Sequence, residues 1–113
     1  MSKGNTFEND LLLLIFNATA IANLAQDGVT PITQIAVALH TADPGEVGTQ
    51  ATSEATYTSY ARVSVNRTSG GWSVSGGVAS PAANISFPAA TGGSNVITHF
   101  SVGPTGGGAT KIF

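Results

Sequence analysis

His40, Asp43 and Glu46 form the densest group of side chains in this sequence that could do chemistry. An imidazole and two carboxylates at that spacing could hold a divalent metal through nitrogen and oxygen. No fourth ligand follows, and the stretch fits no metal-loop pattern, so neither a metal nor any other cofactor is expected. The other titratable groups are few: six acids and two histidines in all, with no cysteine. A chain without cysteine has no disulfide and no thiolate zinc site. Serine is common, but none sits in a Gly-x-Ser-x-Gly elbow. The glycine groups at 70–71, 76–77, 92–93 and 106–108 lack the strand before and helix after that a phosphate-cradling loop needs, and they read as turns. His40 and His99 both fall in predicted strands, where a partly buried, hydrogen-bonded histidine is the ordinary case. Catalysis needs clustered titratable groups, so the chain is expected not to be an enzyme.

Composition narrows the partners. Only 9% of the 113 residues are charged while 42% are hydrophobic, and the net charge is −2. Such a surface is covered by Ser, Thr, Asn, Gly and Ala and has little charge repulsion to keep copies apart, which suits a protein that works assembled. Lys3, Arg62, Arg67 and Lys111 are the only basic residues. Scattered in this way they form no stripe to neutralise phosphates, so nucleic acid is not an expected partner. The longest apolar run, Leu11 to Phe16, falls well short of the roughly 20 residues that span a bilayer. Glu8 and Asp10 stand where a signal peptide would be basic, and no Ala-x-Ala site follows. The chain is therefore expected to be cytosolic when made, unprocessed, and not a membrane protein.

The elements that would position these groups divide at Gly28. Residues 1–25 read as an N-terminal arm and one α-helix. Asn5 and Glu8 make a capping-box pattern, and a stop is expected near Gln26-Asp27-Gly28, with Pro31 beyond. Phe7, Leu11, Leu14, Ala18, Ile21 and Ala22 share one face at 100° per residue. The opposite face holds Leu12, Leu13 and Phe16. A helix apolar on two sides is buried on two sides, and the second cover is either another chain or a loop of the same chain.

After Gly28 the periodicity becomes that of strands. Ile35, Val37 and Leu39 alternate with Ala36, Ala38 and His40, predicting a half-buried strand that ends at the turn Thr41–Gly45. Residues 46–59 read as a long polar loop that is expected to be functional or to contact a partner. Tyr60 to Arg67 alternates again, and Ser69-Gly70-Gly71 reads as a hairpin turn into Trp72–Ser75, which Gly76-Gly77 then breaks. Val78 to Ala83 is weak, Ile85 and Phe87 suggest a short strand, and Val96 to Val102 a longer one. Lys111-Ile112-Phe113 looks like the start of another. Either a last strand ends flush with the fold there, or a further piece follows. One helix and about six short strands at regular spacing predict a single domain over 1–113, mainly β, with an antiparallel β-sandwich over 32–113. Trp72, Val74, Val63, Val65, Phe87 and Phe100 are expected to share its core. No internal repeat is visible.

Several stretches carry a resemblance. They are the opening Met-Ser-Lys-Gly-Asn-Thr-Phe-Glu-Asn-Asp-Leu, Ile-Phe-Asn-Ala-Thr at 15–19, Val37-Ala-Leu-His-Thr-Ala-Asp-Pro-Gly45, Thr52-Ser-Glu-Ala-Thr-Tyr57, Tyr60-Ala-Arg-Val63 and Arg67-Thr-Ser-Gly-Gly-Trp72. Together they resemble a family of small tailed-bacteriophage and prophage proteins often named tail fibre proteins. The chain is also similar to capsid cement, or decoration, proteins of jelly-roll fold that act as dimers. The resemblance implies a virion structural protein. The expected role is a capsid cement protein on the capsid surface, made in the host cytoplasm, that binds and stabilises the major capsid protein. The alternative is a tail or tail-fibre component. Family members run on past the position of Phe113 with further strand-like sequence. A homodimer is expected, with Leu12, Leu13 and Phe16 as the candidate self-association or shell interface. Closed two-fold dimers are the commonest cover for such a patch.

Overall fold

The computed structural model describes residues 5–20, 32–104 and 112–113. Its elements in chain order are α1 (Asn5–Asn17), β1 (Gln34–His40), β2 (Val63–Asn66), β3 (Trp72–Ser75), β4 (Val78–Pro81) and β5 (His99–Pro104). The chain is thus mainly β: among the described residues there are five strands in two antiparallel sheets and one N-terminal helix. It divides into two compact units, one of Met1–Thr33 with Asn66–Asn84, the other of Gln34–Val65 with Ile85–Phe113.

In the first unit α1 packs on the β3–β4 hairpin. The helix ends at Asn17, well before the stop expected at Gln26-Asp27-Gly28. Ala18 turns into the left-handed region at φ 53°, and the Thr19 N–H returns to the Leu13 carbonyl at 3.1 Å. Ala18 therefore lies off the helical face assigned to it, and Ile21 and Ala22 fall outside the described residues. A buried guanidinium closes the same end. Arg67 donates from Nη2 to the Leu14 carbonyl, from Nε to that of Ile15 at 2.5 Å and from Nη1 to that of Ile32 at 3.3 Å. A cation at a helix C-terminus meets both the orphan carbonyls and the negative end of the dipole. Phe16, only 8% exposed, lies against the buried Trp72 with ring centroids 4.8 Å apart. At Phe16, then, the second cover of the helix is Trp72 of the same chain.

The hairpin corrects the sequence reading. Gly76 and Gly77 do not merely break a strand. They are its turn, with φ of 58° and 75°, the two successive positive values that a type I′ turn requires and that match the twist of the strands it joins. Trp72 faces Pro81 and Ser75 faces Val78 across the ladder. Residues 68–71 form a tight turn closed by the Trp72 and Gly71 amides on the Thr68 carbonyl, and that turn leads from one sheet to the other without pairing β2 to β3.

In the second unit the sheet order is β2-β1-β5. β1 pairs antiparallel with β5, from Ile35 opposite Pro104 to His40 opposite His99. β1 is the central strand, and both of its faces are covered: Ile35 to Ala38 and His40 are all buried. The expected half-buried strand is thus buried on both faces: the alternation of Ile35, Val37 and Leu39 with Ala36, Ala38 and His40 marks size rather than exposure. The strand expected at Ile85 and Phe87 does not form among the described residues. Of the expected common core, Trp72 and Val74 lie in the first unit and Val63, Val65 and Phe87 in the second. Phe100 is not in a core at all, being 70% exposed. Its neighbour across the ladder is Leu39, which is half-buried.

Candidate functional site

The residues with chemical potential gather in the second unit, where the loop after β1 folds back over it. His40 ends β1 and is fully buried. Its Nδ1 lies 2.8 Å from the Thr52 carbonyl and its Nε2 2.7 Å from the Ser101 hydroxyl. A carbonyl only accepts, so Nδ1 carries a hydrogen, and Nε2 pairs with the Ser101 hydroxyl. Both nitrogens are thereby occupied within the chain. Asp43 turns inward on its own loop, accepting the Gly45 N–H at 2.9 Å, while Glu46 is exposed. The fold therefore does not bring His40, Asp43 and Glu46 together, and among the described residues no three His, Cys, Asp or Glu side chains are grouped to hold a metal. His99, on exposed β5 surface, bonds the adjacent Thr98 hydroxyl at 2.8 Å.

A carboxylate lattice beside His40 holds the returning loop. Glu54 bridges to His40 and accepts three donors: Arg62 Nε at 2.7 Å, Arg62 Nη2 at 2.8 Å and the Tyr60 hydroxyl at 2.9 Å. The Leu39 amide donates in turn to the Tyr60 oxygen at 3.0 Å. Burial works to raise the Glu54 carboxyl. The hydrogen bonds from Arg62 and Tyr60 and the Arg62 charge outweigh it and leave the group below its ordinary value of 4.5. Burial first, and then the bond to Glu54, push the Tyr60 phenol up to about 12 against the opposing Leu39 bond. The bond to Glu54 raises Arg62 despite its partial burial. All three groups are held in the protonation state that keeps the lattice closed. Gln50, also fully buried, ties the loop to β1 by donating to the Ala36 carbonyl at 3.0 Å. Gly48 lets the loop double back, because a Cβ there would sit 2.0 Å from the Pro44 carbonyl oxygen.

The segments 54–62 and 85–95 are laced to each other. Asn95 Oδ1 accepts the amides of Thr56 and Tyr57 at 2.7 and 2.8 Å. The Thr58 and Thr91 amides bond across to the Gly92 and Thr58 carbonyls. The Tyr57 hydroxyl donates to the Pro88 carbonyl at 2.9 Å. Tyr60 sits edge-on to Tyr57 at 5.3 Å and stacked on Phe87 at 6.4 Å. The outward residues of these loops are mostly Thr, Ser, Ala and Gly. The arrangement can hold a firm, neutral, polar surface. Its acid, base and imidazole are all engaged in holding it.

The loop 46–59 is legible in the sequence as functional or partner-contacting, but Gln50, Glu54, Arg62 and Asn95 do not stand out there as the residues that hold this surface. One signal was present. Tyr60 and Arg62 are two apart in an extended stretch and so share a face, which is how both reach Glu54. Gln50 and Asn95 gave none, because loop closure places them. Of the candidate interface, Leu12 and Leu13 are half-buried on α1 and Phe16 is taken up by Trp72.

Comparison with known sequences gives the class first: this is a structural protein of the bacteriophage virion. The match is to the sequence model of the podophage GP4 fiber I protein gp80, over residues 2–110, and the chain belongs to that family. No curated protein and no solved structure matches it.

Proposed function

We propose that this chain is a fibre-associated subunit of the phage virion that works by binding, with no catalysis and no cofactor. The observation that carries this reading is the family match to a fiber I protein across residues 2–110. The laced loops 54–62 and 85–95 support it, since a preorganised neutral surface loses little freedom on docking against another virion protein. Its partners under this reading are other copies of itself and a neighbouring tail component, with Leu12 and Leu13 as a contact face on α1. Neither nucleic acid nor membrane is a partner. The few cations are scattered, and among the described residues no helix is long and apolar enough to cross a bilayer.

A second reading, capsid cement on the major capsid protein, is favoured by one observation: the sequence lacks the repeats or heptads of a fibre shaft. Gold-labelled antibody on intact particles, with copy number from quantitative mass spectrometry, separates the two. Label confined to the tail and a small copy number are expected. Label spread over the shell at hundreds of copies would overturn the fibre reading in favour of cement.

A further inference from the structure

The loop that leaves β1 at His40 is closed on itself. At its root the Thr41 amide donates to the Ser53 carbonyl at 2.8 Å. Inside it the Gly45 amide donates to Asp43 Oδ1 at 2.9 Å, the Thr49 amide to the Thr52 hydroxyl at 3.0 Å and the Thr52 amide to the Thr49 carbonyl at 2.9 Å. Buried Gln50 and the bridge of Glu54 to His40 fasten it to β1. A loop whose ends meet and whose backbone bonds to itself is preorganised, and such loops often carry function. Its tip is the turn Gly45-Glu46-Val47-Gly48, closed by the Gly48 amide on the Gly45 carbonyl at 3.2 Å. Val47, in the middle of that turn, is 99% exposed, above every other large apolar side chain among those described. Turns ordinarily take Gly, Pro, Asn, Asp or Ser, and a β-branched side chain suits extended backbone. Val47 therefore serves neither the turn nor a core of the folded chain, and it gains free energy only by burial against something else.

We infer that Val47 is a docking knob, which seats in an apolar socket on a different virion protein with a Lys or Arg of that protein at the socket's rim. The charge of the loop names the rim. Asp43 and Glu46 are both exposed in the loop that carries Val47, and residues 41–61 hold no Lys or Arg to balance them. Among the described residues a second copy has its cations engaged: Arg62 is bonded to Glu54, and Arg67 to the carbonyls of Leu14, Ile15 and Ile32. The complementary cation is thus that of another protein. The χ1 angle of valine is restricted by its branch, so seating the side chain costs little rotamer freedom. An acid beside the apolar anchor steers the encounter and rejects acidic partners. The inference rests on the reading that this chain works by binding within the virion, and it names the surface that meets the neighbouring protein.

Competition during assembly tests it. Cells infected by phage deleted for this gene supply wild-type and variant chains in equal amounts, and mass spectrometry of purified particles reads the ratio incorporated. Val47→Asp should be depleted about tenfold or more, because its carboxylate would be buried in an apolar socket. Glu46→Lys should be depleted about threefold or more, since it sets a like charge against the rim. Val96→Asp, at a side chain 80% exposed, controls for added charge and should be recovered near parity. The melting temperature of purified Val47→Asp should match wild type, since the side chain lies in solvent. Val47→Asp at parity, or depleted no more than Val96→Asp, would overturn the inference, and so would a lowered melting temperature. Glu46→Lys at parity would overturn the basic rim. Self-association of the purified wild type that Val47→Asp abolishes would overturn the assignment to a different protein. Failure of the underlying reading looks different: the wild-type chain would itself be missing from particles, which would overturn both.

Discussion

Replacing Arg67 by alanine should unseat α1. The guanidinium is buried, and its three donors meet the carbonyls of Leu14, Ile15 and Ile32. A hydrogen bond from a charged donor contributes about 1.5–3 kcal/mol, and a cation at a helix C-terminus adds roughly 0.3–1 kcal/mol. The bond to Ile32 is long and contributes least. Water entering the alanine cavity returns part of the loss at the freed carbonyls. The net cost of Arg67→Ala is therefore about 3–5 kcal/mol. Domains of this size are stable by only about 5–15 kcal/mol, so the melting temperature should fall by roughly 10–20 °C. Arg67→Lys keeps the charge but replaces the planar fork with one point donor, and it should recover part of the loss. Urea titration read by fluorescence is direct, because Trp72 is the one tryptophan of the chain and lies in the same unit as α1. A loss under about 1 kcal/mol for Arg67→Ala would refute the capping argument. Arg67→Lys as unstable as Arg67→Ala would refute the share assigned to charge.

Trp72 and Phe100 should behave oppositely, although the sequence puts both in one core. Trp72→Ala should cost about 3–5 kcal/mol, and Phe100→Ala no more than about 0.5 kcal/mol, both read by calorimetry. Equal losses would show that Phe100 is covered in the folded chain. Stability should also depend on pH at both extremes. The Glu54 carboxyl is lowered on folding, so its contribution is present above 4.5 and lost as pH falls through the lowered value. The Tyr60 phenol is raised to about 12, so its contribution is present below its ordinary value of 10 and lost as pH rises toward 12. Unfolding free energies across pH should show the acid limb flattened in Glu54→Gln and the alkaline limb flattened in Tyr60→Phe. Limbs matching wild type in both variants would mean that the lattice does not respond to these protons.

The sequence by itself determined the class and most of the elements, because those depend on neighbours along the chain. Glu8 and the leucines placed α1, alternation placed β1, β2 and β5, and paired glycines marked the turns. Local strings also carried the resemblance to phage structural proteins, and family membership over residues 2–110 bears it out. The tertiary structure decided everything that turns on which segments meet. Whether Gly76-Gly77 breaks a strand or closes a hairpin depends on β4 returning to β3. Ala36 and Ala38 are buried on the central strand, where Gln50 from the following loop reaches the Ala36 carbonyl. Phe16 is covered by Trp72, far along the sequence, whereas Phe100, equally apolar, is left 70% exposed on β5. Hydrophobic pattern records what a residue would gain by burial. The partner that supplies the burial is chosen by chain closure over long separations, and no local window contains it.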